Sequence, residues 1–352
     1  MSDGGGNKEA CAIPMLHDEQ ITMLHGGGGA AMHRLIDKVF MPSLGNESLR
    51  REHDAAVFSI GANRLAFTTD SFVVQPLVFP GGDIGSLSVY GTVNDLAMAG
   101  ARPLYLSAAF ILESGLPVSL LREVVESMKR AADSVGVSIV TGDTKVIERS
   151  RGDGMFINTA GVGVVQHGLD IAPQSVMPGD AIIVSGDTGR HGIAIMAVRE
   201  GLEFETELES DCAPLVAPVL EMLELGIRVR CLRDLTRGGL TSALNEIAAG
   251  SGLGAHITEL KVPVRPDVRG ACELLGLDPF SVANEGRFVV YVHPADVSRA
   301  LDILRCHAAD TAPAWIGSVL DKTAPVRVTL ESSIGSVRIL DMPSGEQLPR
   351  IC

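Results

Sequence analysis

The sequence predicts an α/β (α+β) fold, and three observations carry that expectation. Short β-rich runs alternate with longer runs of helical spacing from Asp54 to about Val165. Hydrophobic residues make up 46% of the chain and aromatics only 4%, so the core must be built from Ala, Val, Ile and Leu. Such a core suits strands buried beneath helices better than an aromatic sandwich. The third observation is length, since 352 residues suffice for two ordinary domains.

Taken in order, residues 1–20 are polar and Gly-rich and read as a mobile leader. The glycine run at 26–29 leads into Leu35, Ile36, Val39 and Phe40 at helical spacing. A glycine run opening a helix can wrap an anion with bare N–H groups, which nominates Gly27 and Gly28 for phosphate contact. Residues 55–60 and 64–69 read as a hairpin, 103–112 as a buried strand and 119–135 as an amphipathic helix. Strands at 137–141 and 156–165 complete a domain spanning 21–170. A Pro/Gly cluster at 172–180 marks the boundary to a second domain, 171–334. That domain is expected to hold strands at 181–185, 288–293 and 326–330, and helices at 192–200, 215–225, 239–248, 268–275 and 294–304. Residues 335–352 read as a flexible tail ending in Cys352.

A formal charge of −14 argues against nucleic acid as a partner, because that affinity comes from Lys and Arg displacing counterions. No apolar run reaches membrane-spanning length, and the first residues lack the basic start and apolar stretch of a signal peptide, so a cytoplasmic protein without membrane contact is expected. The six cysteines show neither paired spacing nor a zinc pattern. Cys231, Cys272 and Cys306 sit among apolar neighbours as small core residues, while Cys11 and Cys212 lack a basic neighbour.

Five acids share one local setting, near a strand end or at the mouth of a Gly-containing turn: Asp54, Asp70, Asp95, Asp143 and Asp234. Mg²⁺ takes hard oxygen ligands, a few carboxylates with phosphates completing the shell, which makes these the candidate metal ligands. Singly, each is as well read as a turn or cap residue. Thr144 and Lys145 follow Asp143, and the lysine could place a point charge on transferring oxygens. Arg237, Gly238 and Gly239 open a helix whose N-terminus favours an anion. Glu285 lies in an Asn-Glu-Gly turn. There is no Walker loop or Rossmann fingerprint, so any ATP site belongs to another fold. Cys352 could load a group in one place and present it in another, the arm reaching roughly 40 Å when extended.

The stretches FPGGDIG at 79–85, GTVNDLAMAGA at 91–101, TGDTKV at 141–146, RDLTRGGL at 233–240, ANEG at 283–286 and GEQLPRIC at 345–352 together resemble the HypE family. Its members are carbamoyl dehydratases of [NiFe]-hydrogenase maturation, in the superfamily of aminoimidazole ribonucleotide synthetase. The resemblance covers about residues 20–352. It implies two PurM-like domains, each a mixed sheet covered by helices, and a homodimer with ATP near the interface of the N-terminal domains. It also implies that HypF places a carbamoyl group on Cys352, that ATP drives its dehydration to a thiocyanate, and that the cyanide passes to a HypC–HypD complex. Asp83 and Asn94 join the ATP-binding set on the same ground, with Lys145 stabilising charge and Glu285 as the base. The chain departs from the family pattern at Arg190, where an acid is usual, at Leu235 in place of Pro, and at Arg287 in place of Lys. Two other readings compete: a small-molecule synthetase or kinase of the superfamily with an incidental Cys352, and a non-enzymatic ATP-responsive scaffold.

Overall fold

The computed structural model describes residues 20–201, 208–308, 312–322, 325–344, 348 and 350–352. The expected leader, apart from Gln20, and most of 345–349 lie outside the described residues. The segment after the glycine run is helical as its spacing predicts, with α1 (Ala30–Leu35) and α2 (Met41–Leu44) joined through a π turn at Ile36–Phe40.

The expected hairpin forms as β1 (Ala56–Ile60) and β2 (Asn63–Phe72), turning through Gly61 at positive φ. Two short strands, β3 (Val78–Phe79) and β4 (Gly82–Asp83), lead into α3 (Ile84–Met98), followed by β5 (Ala101–Glu113), α4 (Val118–Val135), β6 (Ser138–Ile147) and β7 (Met155–Val165). They make a five-stranded mixed sheet in the order β1-β2-β7-β5-β6, parallel only between β5 and β6. Helices α3 and α4 cover one face. Among the described residues nothing covers the other face, with Phe67, Val162 and Tyr105 in one cross-strand row and Phe67 and Tyr105 45% and 51% exposed. Along β6 every residue but the last is exposed.

The second unit runs through β8 (Ala181–Val184), α5 (Arg190–Glu200), α6 (Val216–Glu224), β9 (Val229–Asp234), α7 (Gly239–Ser251), β10 (Ala255–Thr258), α8 (Pro266–Leu275), β11 (Phe288–Val292), α9 (Val297–His307), β12 (Ala314–Val319), β13 (Val328–Glu331) and β14 (Val337–Ile339). Its described sheet has seven strands in the order β14-β13-β10-β12-β8-β11-β9. Side chains alternate across it: Ala181, Ile183, Leu232 and Val290 face α6 and α9, while Ile182, Val184, Cys231 and Val289 face α7. The first of these layers merges with the core around α3, so the units share one apolar core. Strand β14 belongs to this sheet and Leu340 is buried, so the arm leaves the domain near Asp341 and not at residue 335. Backbone pairing of β14 with β13 and the buried Leu340 side chain hold that segment where a flexible tail was expected.

Candidate functional site

Strand β2 and helix α3 bring Asp70 and Asp95 to the seam between the units, Asp54 arrives just before β1, and β9 ends on Asp234. These acids line a cavity of about 220 Å³ together with Gly28, Thr68, Arg233, Thr236, Arg237, Gly239 and Glu246. Arg233 Nη1 lies 2.7 Å from Glu246 Oε2 and 3.2 Å from Asp54 Oδ1, which neutralises one side of the cluster. Arg237 also lines the cavity and pulls on Asp70. Burial, with Asp234, Asp54 and Asp70 nearby, drives the Asp95 carboxyl well above the usual carboxylate range. Burial and Asp54 do the same to Asp234, and burial lifts Asp54 to about 6. Thr68 Oγ1 lies 3.0 Å from the Asp54 carbonyl and 2.7 Å from Asp95 Oδ2. The hydroxyl has one proton and the carbonyl can only accept it, so both contacts are satisfied when Asp95 is protonated and donates to Thr68.

Oxygen-only donors and a buried Asp54 Oδ2 without a hydrogen-bond partner fit a hard divalent cation. Among the described residues no three acidic, His or Cys side chains are gathered closely enough to form a metal site by themselves.

The arm ends inside this region. Val73 N–H donates to a Cys352 main-chain oxygen at 3.0 Å and Gln75 N–H to the Arg350 carbonyl at 3.1 Å, so residues 350–352 are tied to the segment that follows β2. Ile351 is buried. The Cys352 thiol lies in the field of Arg237, Glu285, Asp70 and Asp234, and burial pushes its pKa up against the pull of Arg237. Glu285 is 3% exposed, its Oε1 has no hydrogen-bond partner, and burial with Asp234 and Asp70 raises its pKa well above the usual value. Its backbone N–H and that of Gly286 donate to Asp211, each at 3.2 Å, which fixes the turn. The arm expected to be flexible is thus docked at its end, because the main-chain oxygens of Arg350, Ile351 and Cys352 find donors there and the Ile351 side chain is buried.

Other expected residues stand elsewhere. Asp143, Thr144 and Lys145 lie on exposed β6, Asp143 paired with Lys145. The cross-strand row Ser71, Asn158, Ala109, Asp143 puts Asp143 three strands from β2, roughly 14 Å away at about 4.8 Å per strand. Within one chain Asp143 therefore cannot share an ion with Asp70. Asp83 caps α3, accepting from Gly85 and Ser86 N–H. Asn94 is buried, with Nδ2 donating to the Ala213 and Glu285 carbonyls and Oδ1 accepting from Leu215 N–H, so it clasps the two units. Neither presents its side chain to the cavity. Gly28, at positive φ, backs onto the Arg237–Gly238 turn so closely that a Cβ would lie 2.6 Å from the Arg237 carbonyl oxygen. The glycine run and the α7 start therefore pack on each other, and the Gly239 and Thr241 N–H groups already donate to Thr236 and Phe280. Gly27 donates to the Leu24 carbonyl.

Sequence reasoning missed Arg233, Glu246, Thr68, Asp211 and His191. Arg233 adjoins Asp234 in a quoted motif and was legible; Glu246 and Thr68 look in sequence like ordinary polar positions on a helix and a strand. Two departures from the family pattern prove to be linked, since Asp187 binds Arg190 through two contacts of 2.8 Å and Arg287 at 2.7 Å.

Models of the AIR synthase related protein family match residues 52–165 for the N-terminal domain and 177–328 for the C-terminal domain. The chain is 51% identical to the carbamoyl dehydratase HypE of Cupriavidus necator over 95% of each chain. The chain belongs to the HypE family. Among solved structures it is similar to that of a HypE–HypF complex, at TM-score 0.82 and 45% identity over 88% of this chain and 99% of that one. It is also similar to HypE in complex with ATP, at TM-score 0.78 and 44% identity over 95% of this chain and all of that one. HypE membership accounts for the two-unit architecture and for the PurM-like class expected of it. No described helix is long and apolar enough to cross a membrane.

Proposed function

We propose that this chain is an ATP-dependent carbamoyl dehydratase that converts a carbamoyl group on Cys352 to a thiocyanate, with HypF as carbamoyl donor and a HypC–HypD complex as cyanide acceptor. The observation that carries this reading is the docked end of the arm, which sets the Cys352 thiol in the field of Glu285 and of Arg237, Asp70 and Asp234, the last three of which line the acidic cavity. A synthetase or kinase acting on a free molecule gives no reason for the chain to fill its own site with Cys352.

The chemistry follows from the groups present. The carbamoyl oxygen is a poor leaving group, so it attacks the γ-phosphorus of ATP and ADP departs. The phosphorylated oxygen then leaves as phosphate while both N–H protons are removed, and the C≡N bond is complete. Glu285, raised by burial and close enough to act on the Cys352 thiol through its charge, is the proton acceptor, and Arg237 steadies charge on the oxygen. Mg²⁺, held by Asp70, Asp95 and Asp234 with Asp54 in support, would neutralise the phosphates. The docked thiol, kept protonated by burial, is a weak nucleophile, so loading takes place with the arm swung out.

The cavity in one chain is smaller than the 300–1,000 Å³ usual for a ligand site. We infer that a homodimer, formed through the bare sheet face, completes it and delivers Asp143, Thr144 and Lys145 of a second copy. The site of action is the cytoplasm. Incubation with HypF, a carbamoyl donor and ATP, followed by the mass of the peptide ending in Cys352, tests the reading. Addition of a carbamoyl group and then loss of one water is expected; an unmodified peptide beside ATP turnover would overturn it.

A further inference from the structure

We propose that His191, oriented by Ser210, is the positioning residue that holds the arm in its inward register by donating a hydrogen bond to the Ile351 carbonyl. The inference rests on the carrier reading of Cys352. His191 opens α5, is fully buried, and has a defined neighbour at each ring nitrogen. Nε2 lies 2.8 Å from the Ile351 carbonyl oxygen and Nδ1 lies 2.7 Å from Ser210 Oγ. A carbonyl only accepts, so Nε2 carries the proton, Nδ1 is bare, and Ser210 donates to it. Ser210 Oγ in turn accepts from Cys212 N–H at 3.0 Å, and Ser210 N–H is tied to the Pro80 carbonyl at 2.8 Å. The ring meets Phe79 edge-on, centroids 5.4 Å apart, so it has little freedom to turn.

The geometry makes His191 a latch. The main-chain oxygens of Arg350 and Cys352 accept from Gln75 and Val73 N–H, and the Ile351 carbonyl between them meets His191. Without that donor the middle carbonyl would be buried and unpaired, at a cost of the order that opens the arm about tenfold more often. His191 touches neither thiol nor nucleotide cavity, so its effect on the reaction runs through the placement of Cys352.

Alkylation of the full-length chain tests this without carbamoyl chemistry. The rate at Cys352 is read by mass spectrometry on the peptide released at Glu346, with exposed Cys306 as the internal reference. In the parent Cys352 reacts more slowly than Cys306. His191→Phe keeps the ring and is expected to raise the Cys352 rate about tenfold. His191→Gln, whose amide retains a donor, stays near the parent, and Ser210→Ala falls between. In the loaded protein, His191→Phe slows thiocyanate formation while carbamoylation by HypF is kept. Parental alkylation rates in both His191→Phe and Ser210→Ala would overturn the latch, and Ser210→Ala decides alone if His191→Phe does not fold. If Cys352 is never carbamoylated even in the parent, the carrier reading fails, while the alkylation contrast still decides the latch.

Discussion

Glu285 and Asp95 show how single side chains set the chemistry. Glu285 must be unprotonated to accept a proton, and burial with its acidic neighbours raises its pKa. Thiocyanate formation from preloaded protein should therefore rise with pH along a limb above the usual carboxylate range. Glu285→Gln should abolish that limb and slow the step by about 10²–10⁴ with ATP binding intact, read in single-turnover assays. A parental rate would make Glu285 a turn residue only. Asp95 binds its proton more tightly folded than unfolded, so its burial lowers stability as pH rises through the interval between the two pKa values. For neighbouring Asp54 that interval runs from 3.8 to about 6. Asp95→Asn removes its own penalty and should melt above the parent at about pH 8, with the gain fading towards about pH 4, while Mg-ATP binding weakens. Equal melting across that range would show that the acid cluster is not strained. The acid cluster was legible in part: Asp54 precedes β1, Asp70 lies near the end of β2 and Asp234 ends β9, whereas Asp95 sits within helix α3 and Asp143 in the middle of β6. Asp83 and Asn94 were not, since a motif says nothing of which atoms already have partners.

At the scale of elements, legibility followed amphipathicity. Helix α4 exposes one face and buries Val124, Met128, Ala131 and Ala132 on the other, and its period shows in the sequence. Helix α3 is buried on nearly every side, from Ile84 through Leu87, Val93 and Leu96 to Met98, so it has no polar face to produce a period and the sequence reading missed it. Strand β9 and the edge strand β14 are short and were missed for want of alternation. The arm behaves as an element of its own. It leaves the sheet near Asp341, touches Ala30 through the Pro343 carbonyl, and ends beside Val73. Deleting residues 342–344 removes roughly 10 Å of extended reach. Loading by HypF should continue, because an outward arm meets its partner in solution, whereas dehydration should fall at least about tenfold because the inward arm must reach a fixed point. Undiminished thiocyanate from the shortened chain would show slack in the arm.

The whole molecule explains why the sequence grouped residues that one chain keeps apart. The motif at 141–146 carries Asp143, Thr144 and Lys145 beside the other candidates by resemblance, yet β6 holds them roughly 14 Å from β2 on an exposed edge. The bare face with Phe67 and Tyr105 is apolar surface that a second copy can cover. If the proposed symmetric dimer forms through this face, each site would draw Asp234 from one chain and Lys145 from the other. That arrangement has a signature no single-chain site shares. Asp234→Asn and Lys145→Ala should each be inactive alone. Mixed in equal amounts and allowed to exchange, half the dimers become mixed. In each mixed dimer one site collects both substitutions and the other neither, so roughly a quarter of parental activity returns. Activity is read as thiocyanate formed per total chain, with subunit exchange followed by mass. If exchange is complete and activity stays absent, Lys145 serves the site of its own chain, and β6 must then move across the sheet face to reach it.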